Sequence, residues 1–214
     1  MSPALRLTGE SPAVRQTALK ELRALANLNP ALKQALYGKD KKTQALALDV
    51  IAALSLDEFI DDLMGLKDDG NGQFYLTLNA LLNSDNRQKI VKHYLDVVKD
   101  PGPLVEKVIA LDTLSRMEVN LPRTDLEGLL RAPEYEIRSA TLSYIRSLLI
   151  RFPRKEDIGL LSIPLADHPY QLRIQAIQAI RDLPPSLEID GLFLLESCRN
   201  DPHTQVRKAC GGKI

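Results

Sequence analysis

Apolar residues recur along this chain at the spacing of one helix face. In the segment that begins at Val14 they stand at offsets 0, 4, 5, 8 and 11, as residues on one side of an α-helix do. The same frame returns at Ile137 and Leu172, and a shortened copy begins at Val206. No stretch of useful length alternates between apolar and polar residues. The pattern therefore predicts an all-α fold with no β-sheet.

Weaker copies of this frame fill the middle of the chain. The copy at Thr43 fits well, the copy at Phe74 fits in part, and the copy near Leu104 is the poorest. Successive copies start 29 to 35 residues apart, which is the length of two helices and two turns. Because a single hairpin of helices cannot bury its own apolar face, we expect the hairpins to stack into one domain over residues 1–214, with an incomplete C-terminal repeat.

The charge and cysteine content narrow the class of protein. The chain has 28 Lys and Arg against 28 Asp and Glu, and a balanced charge argues against a dedicated nucleic-acid-binding protein. No apolar run reaches the roughly 18 residues of a membrane span, and the first residues lack a signal-peptide pattern. Cys198 and Cys210 lie outside any C-x-x-C motif, so we expect two reduced thiols, no zinc site and a cytoplasmic location.

An arginine follows the first apolar residue in each of the strongest copies of the frame. These arginines are Arg15, Arg138, Arg173 and Arg207. In the last two copies an aspartate, Asp167 or Asp201, opens the turn before the helix.

The segments from Asp167 to Ile180 and from Asp201 to Cys210 resemble the HEAT repeats of the armadillo-like superfamily. Their short period is similar to the bacterial type described in phycobilisome bilin lyases. The resemblance implies a right-handed α-solenoid of about six to seven helical hairpins. It also implies that the turn aspartates and the arginines tie adjacent units together, with Asp167 beside Arg173, Asp201 beside Arg207, and Arg138 in the same structural role.

The same resemblance directs the functional hypotheses. Most similar proteins bind other proteins along a concave face formed by the second helix of each unit, so we expect a non-enzymatic scaffold or adaptor with a protein partner. The alternative is an enzyme or enzyme subunit, either a chromophore chaperone like the bilin lyases or a nucleic-acid enzyme such as a DNA glycosylase. Self-association through the open C-terminal end is a further possibility of the fold.

Three arginines share offset 9 of the frame, on the flank of the apolar face: Arg23, Arg146 and Arg181. If the units stack, Arg146 and Arg181 align into a short basic stripe that suits an acidic partner; the alternative is that they are solvated helix residues. Residues 108–214 contain eleven Arg and three Lys, whereas residues 1–107 contain four Arg and ten Lys. Since arginine is favoured at interfaces, we expect the C-terminal half to bind the partner.

Candidates for chemistry are few. Residues 57–69 hold six acids, which suit either a solvated helix start or a basic or cationic ligand: Asp57, Glu58, Asp61, Asp62, Asp68 and Asp69. His168 and His203 occupy neighbouring turns but lack the spacing of a metal site. We therefore predict no catalytic, cofactor-binding or metal-binding residues.

Overall fold

The structure is a computed structural model that describes residues 12–66, 73–83 and 85–211, apart from the side chain of Arg15. Every regular element in these ranges is helical, which confirms the all-α prediction. The helices are α1 (Pro12–Arg23), α2 (Leu28–Leu36), α3 (Lys41–Leu54), α4 (Ile60–Gly65), α5 (Gln73–Ala80), α6 (Arg87–Lys99), α7 (Leu104–Arg116), α8 (Arg123–Leu130), α9 (Tyr135–Arg151), α10 (Lys155–Ile158), α11 (Ser162–Leu165), α12 (Tyr170–Arg181), α13 (Glu188–Glu196) and α14 (Thr204–Ala209). Single 3₁₀ turns lie at Asp57–Phe59, Gly159–Leu161 and Pro185–Leu187. None of the described helices is long and apolar enough to cross a membrane.

Local sequence sets the helix ends. Asp40 caps α3, because its carboxylate accepts the backbone N–H groups of Lys42 and Thr43. The hydroxyl of Thr43 also donates to this carboxylate, and these hydrogen bonds lower the pKa of Asp40. At the other end of α3 the chain turns at Ser55, whose φ of 54° lies in the left-handed region. The cap and the turn together confine α3 to the segment predicted from the frame at Thr43.

The chain divides into two compact units, residues 1–93 and residues 94–214, with the division inside α6. In the first unit α3 packs against α1, α2 and α5, and α4 packs against α5. The frame that begins at Thr43 is buried at each later apolar position, namely Ala47, Leu48, Ile51 and Leu54. The periodicity of the sequence thus marks the side of α3 that enters this core.

The second unit has two rows of helices. One row runs through α7, α9, α12 and α14, each packed on the next, and α9, α12 and α14 carry the apolar–arginine frame. In the other row α8 packs on α11 and α10 packs on α13, while α8, α11 and α13 also contact the first row. The frames at Ile137 and Leu172 are buried between the rows. The right-handed solenoid of six to seven units and the single domain stay predictions.

Candidate partner-binding surface

An open groove lies between the exposed sides of α7 and α9 in the second unit. Its volume is about 430 Å³. The lining residues are Val108, Leu111, Asp112, Ser115, Arg116, Ala140, Ser143, Tyr144, Ser147 and Arg151. We call this surface the α7–α9 groove. α9 also packs on α8 of the other row, and the sides of α7 and α9 that stay open to solvent form the groove.

The charged side chains of the α7–α9 groove are paired. Arg116 contacts Asp112 one turn earlier on α7, with 2.5 Å between nitrogen and carboxylate oxygen. Arg151 donates to the main-chain carbonyl of Ser115 over 3.2 Å and lies 3.5 Å from a carboxylate oxygen of Glu118. Each guanidinium therefore has an acid beside it, and the serine hydroxyls of the lining supply uncharged donors and acceptors.

Tyr144 forms the buried floor of the α7–α9 groove. Its hydroxyl donates to the carbonyl of Val119 and accepts the backbone N–H of Leu121 at 3.0 Å. Burial raises the pKa of this phenol, which keeps the hydroxyl protonated as a donor. Since Val119 and Leu121 lie between α7 and α8, Tyr144 holds that connection against α9 and sets the shape of the groove.

The three arginines that were predicted to bind a partner have different surroundings. Arg23, in the first unit, donates from Nη2 to the carbonyl of Leu54 at the end of α3 over 3.2 Å. Arg146 is half-exposed and lies 2.6 Å from a carboxylate oxygen of Asp182. Arg181 is exposed and lines a smaller groove near the start of α13. An acid next to Arg181 in the chain thus neutralises Arg146, which weakens the expected basic stripe.

The arginines after the first apolar residue form a regular ladder in the second unit. Nη1 of Arg173 donates to the carbonyls of Asp167 and His168 in its own turn, over 2.7 and 3.0 Å. Its Nε and Nη2 face the carboxylate of Asp201 in the next turn, at 2.8 and 3.0 Å. This ion pair is well buried, with side chains 12% and 8% exposed. Each such arginine therefore joins its own turn to the turn of the next hairpin.

The same arrangement recurs one step earlier in the chain. Arg138 donates to the carbonyls of Ala132 and Pro133, and its Nε lies 2.8 Å from Asp167. The carboxylate partners therefore differ from the expected ones. Asp167 pairs with Arg138 and Asp201 pairs with Arg173, whereas Arg173 and Arg207 contact only the main-chain carbonyls of the aspartates expected beside them. The short turn brings each arginine close to the main-chain carbonyls of the turn that precedes its helix. The side chain of the turn aspartate points instead toward the preceding hairpin.

The acidic segment does not form a cation site among the described residues, where no group of His, Cys, Asp and Glu is arranged to hold a metal ion. Each acid of residues 57–62 contacts a neighbouring helix or loop of the first unit. The contacts are Asp57 with Asn83, Glu58 with Asn29, Asp61 with Lys89, and Asp62 with Lys33 and Tyr37. Hydrogen bonding to Asp62 raises the pKa of Tyr37. Asp68 and Asp69 lie outside the described residues.

The cysteines contradict the prediction of two reduced thiols. Cys198 and Cys210 form a disulfide whose Cα atoms are 6.1 Å apart, a normal separation for such a bond. The bridge joins the end of α13 to the end of α14. Sequence spacing missed it because residues twelve positions apart meet only when the two helices fold back on each other. The cytoplasmic location rested partly on reduced thiols, and it loses that support.

No described histidine belongs to a group of His, Cys, Asp and Glu residues that could hold a metal ion. His203 stacks on Tyr170, with ring centroids 3.8 Å apart and ring planes inclined by 9°. The imidazole is thus a packing group between the turn of one hairpin and the helix of the preceding one.

Comparisons with known proteins do not indicate a function for this chain. No protein-family model matches the chain, and no curated protein matches it. A solved structure described as "Crystal Structure of Engineered Protein" is 12% identical over 98% of this chain and 92% of that chain, with a TM-score of 0.28. A likeness this low supports no argument about fold or function.

Proposed function

We propose that this protein is a non-enzymatic helical scaffold of the HEAT-like type, and that it binds a segment of a partner protein in the α7–α9 groove. The observation that carries the proposal is the groove itself, an open channel between α7 and α9. Its volume of about 430 Å³ is within the range of ligand sites, and its open form suits an extended polypeptide.

The lining defines the chemistry of that partner segment. Ser115 and Ser147 offer hydroxyls that both donate and accept hydrogen bonds, as the backbone of an extended peptide requires. The hydroxyl of Ser143 already donates to the carbonyl of Ser139 and offers an acceptor. Val108 and Ala140 offer small apolar contacts. Because Arg116 and Arg151 already have acidic neighbours, a partner gains from hydrogen bonds and shape more than from net charge. We therefore expect an uncharged or weakly acidic segment with small side chains.

A photo-crosslinking residue at Ser143 tests this proposal. We expect ultraviolet light to join the variant to one partner polypeptide, because Ser143 is exposed within the groove. The matched control places the same residue at Arg131, which is exposed at the end of α8 and outside the groove. Mass spectrometry of the adducts identifies the partner.

A blocking substitution completes the test. Ser147→Arg fills the groove without entering the core, and we expect it to reduce the crosslinked yield at Ser143 by about tenfold while the helical circular dichroism stays unchanged. Equal crosslinking at Ser143 and Arg131, or no effect of Ser147→Arg, would contradict binding in the groove. A chromophore that copurifies with the full chain would favour the chaperone alternative.

A further inference from the structure

A second surface lies at the end of the hairpin formed by α13 and α14. On α13, Ile189, Leu192 and Phe193 are 72%, 54% and 73% exposed, and their spacing places them on one side of the helix. We call this the α13 face. Exposed apolar side chains that adjoin each other commonly mark a site of interaction, whereas single ones do not.

The arginine ladder is incomplete at the same hairpin. Arg207 repeats the first half of the pattern, since its Nη1 donates to the carbonyls of Asp201 and Pro202 over 2.7 and 3.0 Å. Its Nη2 donates to the hydroxyl of Thr204, and no carboxylate of the described residues lies within ion-pair distance. Arg138 and Arg173 each use that side of the guanidinium to bind the aspartate of the next turn.

The repeat register connects these two observations. The step of 35 residues from Ile137 to Leu172 places Phe193 at the position of Ile158 and Leu192 at the position of Asp157. Ile158 and Asp157 are only 3% and 4% exposed in α10, which packs on α13. Positions that the next hairpin covers in one unit are thus uncovered in the following one.

A groove extends this surface toward α12. It has a volume of about 290 Å³ and is lined by Ile180, Arg181, Leu183, Pro185, Glu188, Leu192 and Leu195. Leu192 belongs to both the groove and the α13 face, so the apolar surface is continuous. The described α14 has six residues against twelve in α12, and it leaves this part of α12 and α13 open.

We propose that the α13 face and Arg207 together dock a helical hairpin of a partner protein, one with an apolar helix and with a carboxylate in its turn. Charge complementarity selects this occupant, because each guanidinium of the ladder that meets another hairpin meets a turn aspartate. A symmetric pair of identical end faces brings together two Arg207 side chains, while the turn carboxylate of Asp201 is already bound to Arg173. This surface is separate from the α7–α9 groove, and the two proposals stand or fail independently.

A tethered hairpin tests the proposed chemistry. A second copy of residues 178–211, attached after Gly211 in place of the last three residues, keeps the 34-residue step and presents a turn aspartate to Arg207. Tethering supplies the hairpin at high effective concentration, so a weak contact is measurable. We expect the extended chain to unfold in one transition at a higher temperature than the original chain.

Substitution of Arg207 provides the specific readout. In the extended chain, Arg207→Ala should raise the unfolding equilibrium constant by at least about tenfold more than it does in the original chain. The reason is that the substitution removes an ion pair only in the extended chain. Asp201→Asn in the added copy should cause little further loss once Arg207 is replaced. Arg131→Ala, an exposed arginine of α8, serves as the control and should act equally in both chains.

Several results would overturn the proposal. One is an added hairpin that unfolds separately and leaves the original transition unchanged. Another is an equal effect of Arg207→Ala in the two chains. A third is a dimer of the original chain in light scattering that Leu192→Ser abolishes, because that result assigns the α13 face to a second copy of this protein.

Discussion

Arg173 is the residue whose surroundings explain most about the second unit. Its guanidinium donates to two carbonyls of the turn before α12 and pairs with the carboxylate of Asp201 after α13. One side chain of α12 thus connects these two turns. Lysine cannot replace it, because an ammonium lacks the planar fork that reaches a carbonyl pair and a carboxylate together. The arginines of the repeat frame in the second unit thus hold the turns of adjacent hairpins together.

We expect Arg173→Met to lower the free energy of unfolding by about 3 to 5 kcal/mol, because it leaves the buried Asp201 carboxylate without its cation. Arg116→Met is the matched control. Its ion pair with Asp112 is exposed, at 61% and 63%, so its loss should cost less than about 1 kcal/mol. Urea denaturation measures both values. Equal losses for the two variants would show that the ladder does not carry this stability.

The buried tyrosines give a prediction on pH. Burial raises the pKa of both Tyr94 and Tyr144 above the ordinary value of 10.0. The unfolded chain releases these protons near that value and the folded chain does not, so the stability they contribute is complete below it and is lost as the pH rises further. Alkaline titration by phenolate absorbance should show these two tyrosines ionising only when the protein unfolds. Replacement of each by Phe should remove its share of the late step; ionisation of all six tyrosines in the folded protein would contradict this.

At the scale of elements, α14 depends on cross-links more than on an apolar core. α14 has six residues and one fully buried side chain, Val206. Three contacts hold it: the disulfide from Cys210 to Cys198, the bonds from Arg207 to its turn, and the packing of Val206. A helix this short is not stable without such tertiary contacts.

Removal of the disulfide should therefore affect this hairpin first. The bridge closes a loop of about the size for which chain entropy supplies roughly 3 kcal/mol. We expect Cys198→Ser with Cys210→Ser to speed amide hydrogen exchange in α14 and in the end of α13, with little change in α3 or α9. Nonreducing mass spectrometry of the untreated protein checks that the bond is present. Uniform loss of protection over the whole chain would indicate a wider role.

At the scale of the whole molecule, the positive and negative charges are equal in number, and many of them also pair with a neighbouring charge. Acids and bases number 28 each, and in the described residues many of them pair across helices, as Lys33 does with Asp62 and Arg146 with Asp182. Ion pairs of this kind reduce the number of cations that are available to a phosphate backbone. The second unit presents two open surfaces instead, the α7–α9 groove and the apolar α13 face.

We accordingly expect no salt-dependent retention of the protein on heparin or on immobilised DNA. A basic protein of similar size provides the positive control. Charge reversal of Arg146 and Arg181 should leave this behaviour and the helical content unchanged. Retention that falls steeply with salt would revive the nucleic-acid alternative, because counterion release requires several phosphate contacts.

The class of fold and the buried sides of α3, α9 and α12 follow from the sequence pattern alone. A period of 3.6 residues follows from helix geometry, so the frames at Thr43, Ile137 and Leu172 predicted buried positions that the structure confirms. The frame failed near Leu104, where α7 buries Ala110, Leu111 and Leu114 but no single register links its apolar residues. The sequence pattern therefore gave no sign that α7 would form half of the groove.

Which side chains meet depends on how the hairpins stack. Spacing placed Asp167 near Arg173 because they are close in the chain, but the stacking of hairpins turns the carboxylate toward Arg138. The same stacking pairs Arg146 with Asp182, joins Cys198 to Cys210 and opens the α7–α9 groove. The periodicity of apolar residues indicates which side of a helix is buried. Ion pairs, disulfides and grooves depend on how two helices are placed relative to each other, and a local sequence pattern does not specify that placement.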